Sequence, residues 1–184
     1  MTTGKIVFGD EIRSYQWPGE TGRFLLNSED THGRYTLMDV TTSVRGGPPT
    51  HQHEHEDEAF LVLEGAYEIR LGDDTFLVTP GNLVYGPRGI PHGFRTVGDA
   101  PGRMLVIATP GGVEGFFIGL SEIMGRGGRP DPQEIQDHAA RFGITSLDAM
   151  TGPGGPPVAA QSQPPPLLLY PPVPVLLDPT DPAQ

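Results

Sequence analysis

Residues 50–65 read THQHEHEDEAFLVLEG, and positions 51–58 hold three histidines and four acids immediately ahead of an apolar run. Side chains two apart in a strand share a face, so His51 and His53 can aim two imidazoles at one point inside a barrel. Glu54, His55, Glu56 and Asp57 follow as a polar turn, with Glu54, Glu56 and Asp57 expected to be solvated. Glu58 then opens the next strand with Phe60 and Val62 on its own face, which lets two imidazoles and a carboxylate converge. Downstream, residues 81–96 read GNLVYGPRGIPHGFRT. Its Gly and Pro residues break one strand and start another, and His92 opens that second strand with Phe94 and Thr96 on the same face. His92 is thus placed to be a fourth ligand of the same ion.

Outward from this stretch the chain reads as a strand meander. Short runs rich in β-branched and aromatic residues predict strands at 24–27, 35–44, 58–63, 66–71, 75–79, 82–85, 92–97 and 104–108. Glu64-Gly65, Gly72-Asp73-Asp74 and Pro80-Gly81 carry the residue types that chain reversals need. Two helices are expected after a barrel core at about 24–110. The first, 112–124, places Val113, Phe116, Phe117, Leu120, Ile123 and Met124 on one stripe. The second, 132–142, starts with Asp131 as N-cap, Pro132 at the first position and Glu134 completing a capping box, and ends at Gly143, with Ile135, Ala139 and Phe142 inward.

Composition supports an all-β core. The 184 residues fit one main domain, and 26 Gly with 21 Pro favour short strands and turns. The expected organisation is a domain over residues 1–150 and a Pro-rich tail over 151–184, either disordered or an extended arm lying on a surface. A net charge of −11 opposes binding to nucleic acid, and zero cysteine leaves only nitrogen and oxygen donors for a metal. No basic, apolar leader opens the chain and no long apolar run spans a membrane, so a cytoplasmic protein without membrane partners is expected.

Taken together, the two segments resemble the two motifs of the cupin superfamily. The first reads Gly46 or Gly47, His51, His53, Glu58, Gly65, and the second reads Gly81, Pro87, Gly89, His92. The resemblance covers about residues 35–108 and implies a double-stranded β-helix, the jelly-roll cupin barrel, with His51, His53, Glu58 and His92 as metal ligands. Thr96 stands where the second motif usually has Asn. The alternative register, Gly47 with His53 and His55, restores the glycine spacing but leaves only two residues before Glu58. His51 and His53 are therefore preferred, and His55 falls beside the site or on the surface.

Three imidazoles and a carboxylate suit one divalent transition metal, Fe, Mn, Ni, Co, Cu or Zn, and not a Ca or Mg cage. Strand parity nominates Met38, Phe60, Val62, Phe94 and Met104 for the walls of a substrate pocket or for plain core. Together with the run EDEAFLVLEG, the segment Gly111, Gly112, Val113, Glu114, Gly115, Phe116, Phe117 is similar to the quercetin 2,3-dioxygenase-like group. That resemblance implies a dioxygenase taking O2 and a phenolic or enolic, flavonol-like substrate, with Glu58 as ligand and as the base that takes the substrate hydroxyl proton. A redox-neutral isomerase, cyclase or decarboxylase and a non-catalytic binding barrel are the alternatives. The resemblance further implies a homodimer, with Ala59, Leu61 and Leu63 on the outer strand face for contact.

Overall fold

The computed structural model describes residues 4–147, so the expected tail at 151–184 and the boundary near 150 lie outside the described residues. Its strands are β1 (Ser14–Trp17), β2 (Glu20–Leu26), β3 (Thr36–Thr42), β4 (His51–His53), β5 (Asp57–Glu64), β6 (Ala66–Leu71), β7 (Asp74–Val78), β8 (Leu83–Gly86), β9 (His92–Val97), β10 (Gly102–Thr109) and β11 (Ile144–Ser146). Helices α1 (Ser28–Thr31), α2 (Glu114–Gly125) and α3 (Pro132–Ala140) complete the described chain. The strands form two antiparallel sheets, in the orders β1-β2-β3-β10-β5-β8 and β11-β4-β9-β6-β7, the architecture of a jelly-roll barrel. No described helix is long and apolar enough to cross a membrane.

Alternation drives the packing. In β5, Glu58, Phe60 and Val62 are buried while Ala59, Leu61 and Leu63 are half-buried, and β10 buries Met104, Val106 and Ala108 in the same rhythm. Met38, Val40, Tyr67 and Ile69 from β3 and β6 fill the interior with them. Outside, Ala59 and Leu61 pair with Tyr85 and Leu83, which together with Ile107 are exposed apolar side chains on the face expected to meet a second copy.

Several boundaries differ from the sequence expectation. The barrel starts before residue 24, because the hairpin of β1 and β2 extends the six-stranded sheet from Ser14. Nor does it end at residue 110: β11 returns after the helices and pairs with β4, Ile144 opposite His53, covering a strand otherwise joined to β9 by one register pair. Helix α2 packs Val113, Leu120 and Ile123 into the core, with Phe116, Phe117 and Met124 partly buried against it. At α3 the Asp131 side chain accepts from Gln133 N, but Glu134 makes no reciprocal cap because its carboxylate pairs with Arg126. The described capping box belongs to α1, where Asn27 and Asp30 satisfy each other's backbone N–H groups.

One outward side chain breaks the alternation. Asp39 of β3 is 3% exposed because Arg103 grips it through Nε and Nη2 at 2.8 and 3.0 Å and Arg23 closes from the other side. These hydrogen bonds, Arg103 foremost, outweigh burial and hold the carboxyl below its ordinary 3.8. A depressed folded-state pKa adds stability that is complete above the unfolded value and is lost as pH falls through the folded one. Asp39→Asn is therefore expected to destabilise by about 1–2 kcal/mol at neutral pH, discounted for the partly exposed guanidinium groups. Urea unfolding from pH 7 down to pH 3 should show the gap from wild type narrowing below pH ~4, and a gap independent of pH would contradict this role.

Candidate metal centre

His51, His53, Glu58 and His92 each direct one ligand atom into a common volume, and these atoms all lie within 4.8 Å of one another. Backbone pairing explains the convergence. His51 and His53 share a face of β4, His51 stands opposite His92 of β9, and Glu58 enters from the facing sheet on β5. Close packing of β4 on β9 requires Gly93, where a Cβ would sit 3.1 Å from the Pro49 carbonyl oxygen and Thr50 Cα.

The hydrogen bonds around the rings determine their protonation. A carbonyl oxygen only accepts, so Nδ1 of His51 donates to Pro49 O at 2.8 Å and Nδ1 of His92 donates to Ile90 O at 3.0 Å. In the same way Nδ1 of His53 donates to the Glu56 carboxylate at 3.1 Å. All three Nε2 atoms are thereby left as lone-pair donors towards the common volume, the arrangement that fixes tautomer and ring orientation in metal-bound histidines.

That leaves an electrostatic problem which a cation solves. Glu58 Oε2 stands 2.9 Å from His92 Nε2 and 3.3 Å from His53 Nε2, so a carboxylate faces lone pairs in a buried site. A proton on Nε2 of His53 or His92 gives the same relief as a cation. Burial pushes the Glu58 carboxyl up, but attraction to a charged His53, a hydrogen bond from His92 and the further attraction of His92 and His51 outweigh it and bring it down to about 2. For His51, burial and then the neighbouring His92 and His53 push the imidazole down to about 4, which keeps it neutral. Burial opposes charge on His53 too, yet Glu58 and Glu56 together hold that ring above its usual value. A dipositive ion among the four groups satisfies three lone pairs and one anion at once, and the nitrogen-rich donor set fits a transition metal.

Glu56 is a correction to the sequence reading. A solvated turn was expected there, but Glu56 is 7% exposed because its carboxylate turns inward to hold His53. Spacing alone gave no sign of this, although an acid three residues beyond a ligand histidine is a partner worth looking for. Glu54 and His55 do face solvent, and Asp57 accepts hydrogen bonds from the backbone and side chain of Arg88. Thr96, at the position where the motif usually has Asn, donates to Ser43 O at 2.7 Å and ties the loop before β4 to β9.

His51, His53 and Glu58 reach the wall of a cavity of ≈ 1180 Å³. Of the five residues that parity nominated for pocket walls or plain core, Met38, Phe60 and Phe94 line it, and Phe116 and Phe117 of α2 add to the apolar wall. Val62 and Met104 do not line it. They stand directly opposite each other on β5 and β10, a step further along the strand than Phe60, and are wholly enclosed as core. The segment 111–117 also has a structural role. Its Glu114 accepts from Ser28 N and Oγ, Thr36 Oγ1 and Gly112 N, which ties the start of α2 to the barrel.

Comparison with known proteins finds relatives of this chain in sequence and in fold. The family profile described as "Cupin domain" matches residues 38–108. A solved structure of the polyketide cyclase RemF from Streptomyces resistomycificus is 33% identical, with a TM-score of 0.52 over 58% of this chain and 80% of that one. KdgF from Halomonas sp. shares 19% identity, with a TM-score of 0.55 over 61% of this chain and 98% of that one. Mannose-1-phosphate guanylyltransferase 2 from Escherichia coli O157:H7 is 27% identical over 103 residues, 56% of this chain. The chain spans only 20% of the length of that relative.

Proposed function

Since the chain belongs to the cupin family, we propose that it is an enzyme that holds one divalent transition metal through His51, His53, Glu58 and His92 and acts on an oxygen-rich enolic or phenolic small molecule. The reaction we assign to it is redox-neutral, a ring closure or a related carbonyl transformation. The observation that carries the metal is the meeting of three Nε2 lone pairs and one carboxylate at a cavity wall. The likeness to a polyketide cyclase favours ring closure. A second copy of the chain on the outer face of β5 and β8 belongs to the same proposal.

An ion bound there would act as a Lewis acid towards a substrate oxygen. The protein's own groups do the rest. The Glu58 carboxylate, ionised at neutral pH, accepts the proton released from a substrate hydroxyl or from the carbon beside a carbonyl. The three Nδ1–H bonds keep the imidazoles from rotating and leave their Nε2 lone pairs aimed at the ion's position. Met38, Phe60, Phe94, Phe116 and Phe117 exclude water and strengthen every charge interaction at the site.

Dioxygenase action on a flavonol-like substrate is the second reading, favoured by the resemblance of residues 111–117. Within that segment Glu114 is used as a tether for α2, so that likeness bears on the fold as much as on chemistry. The two are separated by loading the protein with Fe, Mn, Co, Ni, Cu or Zn and supplying a linear poly-β-ketone or quercetin, with and without O2. The expected result is anaerobic conversion of the polyketone to a cyclised product of equal mass or of that mass less water. Turnover that consumes O2 in step with substrate would establish the oxygenase instead, and no turnover with any metal would leave a binding barrel.

A further inference from the structure

The metal-site reading leaves one buried titratable group of the cavity unused. Glu20, at the start of β2, is 8% exposed, lines the same cavity as His51, His53 and Glu58, and belongs to the opposite sheet from the histidines. Its position is built by a tight hairpin. Pro18-Gly19 forms the turn, with Gly19 at φ 77, so Trp17 and Glu20 stand opposite each other at the end of β1 and β2. The indole then folds across β2 onto Gly22, where a Cβ would lie 2.1 Å from the ring, and this close approach needs a residue without a side chain.

The result is a carboxyl held by two donors. Trp17 Nε1–H donates to Oε2 at 2.8 Å and the Thr42 hydroxyl donates to Oε1 at 3.1 Å. Among the described residues no Lys, Arg or His forms an ion pair with Glu20. The charged and titratable neighbours that act on it are Glu58, from β5 of the same sheet, and Tyr67 of β6, and neither is a cation. Burial raises the carboxyl to about 7 against the pull of Trp17 and Thr42. Each carboxylate oxygen can accept more than one hydrogen bond, so a carboxyl fixed in orientation by two donors on a cavity wall keeps capacity for a further donor from the cavity.

We propose that Glu20 is a second polar anchor of the cavity, a carboxyl that hydrogen-bonds a hydroxyl of the substrate distinct from the oxygen presented to His51, His53, Glu58 and His92. The inference rests on the proposed function and narrows its substrate class. The molecule carries at least two separated oxygens, one for the ion and one for Glu20, with an apolar body between them to lie against Met38, Phe60 and Phe94. A polyphenol or a polyketide-derived ring has this form.

Trp17 is the only tryptophan of the chain and touches Glu20, so its emission reports occupancy at this end of the cavity. The metal-loaded full chain is titrated with two probes, unsubstituted flavonol and kaempferol, which adds ring hydroxyls to the same enolic core. Wild type is expected to favour kaempferol. Glu20→Leu should weaken kaempferol about tenfold to hundredfold, the loss of one hydrogen bond to a buried carboxyl, and leave unsubstituted flavonol within about a factor of two. Glu20→Gln, which keeps the shape and a hydrogen-bonding group, should recover part of the difference. Equal wild-type affinities for the two probes, kaempferol binding unchanged in Glu20→Leu, or an equal loss of both probes would overturn the inference. Metal content is measured on the same samples, and absence of a bound ion from wild type strikes the functional reading separately.

Discussion

His92→Ala is expected to abolish stoichiometric metal binding and, with it, turnover. His92 sits 2% exposed at the meeting of both sheets, donates to Ile90 O and faces Glu58 Oε2 at 2.9 Å, so no neighbouring side chain can replace its Nε2. Losing a ligand removes one of the four donor atoms outright. The effect should therefore exceed the roughly 10–100-fold loss of affinity that follows when only a supporting partner is removed. Glu56→Gln supplies that comparison, since the amide oxygen can still accept from His53 Nδ1 while the negative charge is gone. Elemental analysis after dialysis, with chelator competition for affinity, reads all three proteins. Metal at a hundredfold excess over its dissociation constant should also raise wild-type stability by about 2.7 kcal/mol and leave His92→Ala unmoved. Full metal content in His92→Ala would remove the basis of the proposed function.

Gly47→Ala is expected to cause the largest loss of stability from any single methyl group in the barrel. Gly47 has φ 138, and a Cβ there would lie 2.0 Å from Phe94 O, 2.8 Å from Phe94 C and 3.0 Å from Arg95 Cα. Every one of these atoms is backbone of β9, so no side chain can swing aside. Either the loop before β4 lifts, carrying His51 with it, or β9 moves, carrying His92. Strained φ and forced overlap together imply a cost on the order of 4 kcal/mol, a large share of a domain's total of roughly 5–15 kcal/mol. Gly72→Ala is the control: its φ is 62, but nothing lies within 4 Å, so it should cost only about 1 kcal/mol. Urea midpoints at equal slope compare the two, and a Gly47→Ala midpoint equal to that of Gly72→Ala would refute the close-approach argument.

Much of the barrel was legible because strand alternation is local. Glu58, Phe60 and Val62 share a face whatever the rest of the chain does, and the runs at 66–71 and 92–97 coincide with β6 and β9. The hairpin of β1 and β2 was only half legible because its strands are short, and its inward residues, Trp17 and Glu20, do not form an apolar alternation. Strand β11 has three residues and pairs only with β4, so no periodicity could announce it. Val62 and Met104 show the limit of parity: it says which face a side chain takes but not how far along the barrel the cavity extends.

The order of residues was enough to determine much of the strand pattern and the turns, because spacing within a segment governs which groups share a face. The resemblance of two segments to the cupin motifs is what singled out His51, His53, Glu58 and His92. Only the tertiary structure decided that Glu56 turns inward to His53, that Asp39 is buried between two arginines and that Glu20 is a carboxyl in a cavity wall. The environment of a charged group depends on residues brought in from distant strands. Arg103 reaches Asp39 across 64 positions and Thr42 reaches Glu20 across 22, and no local period encodes either meeting.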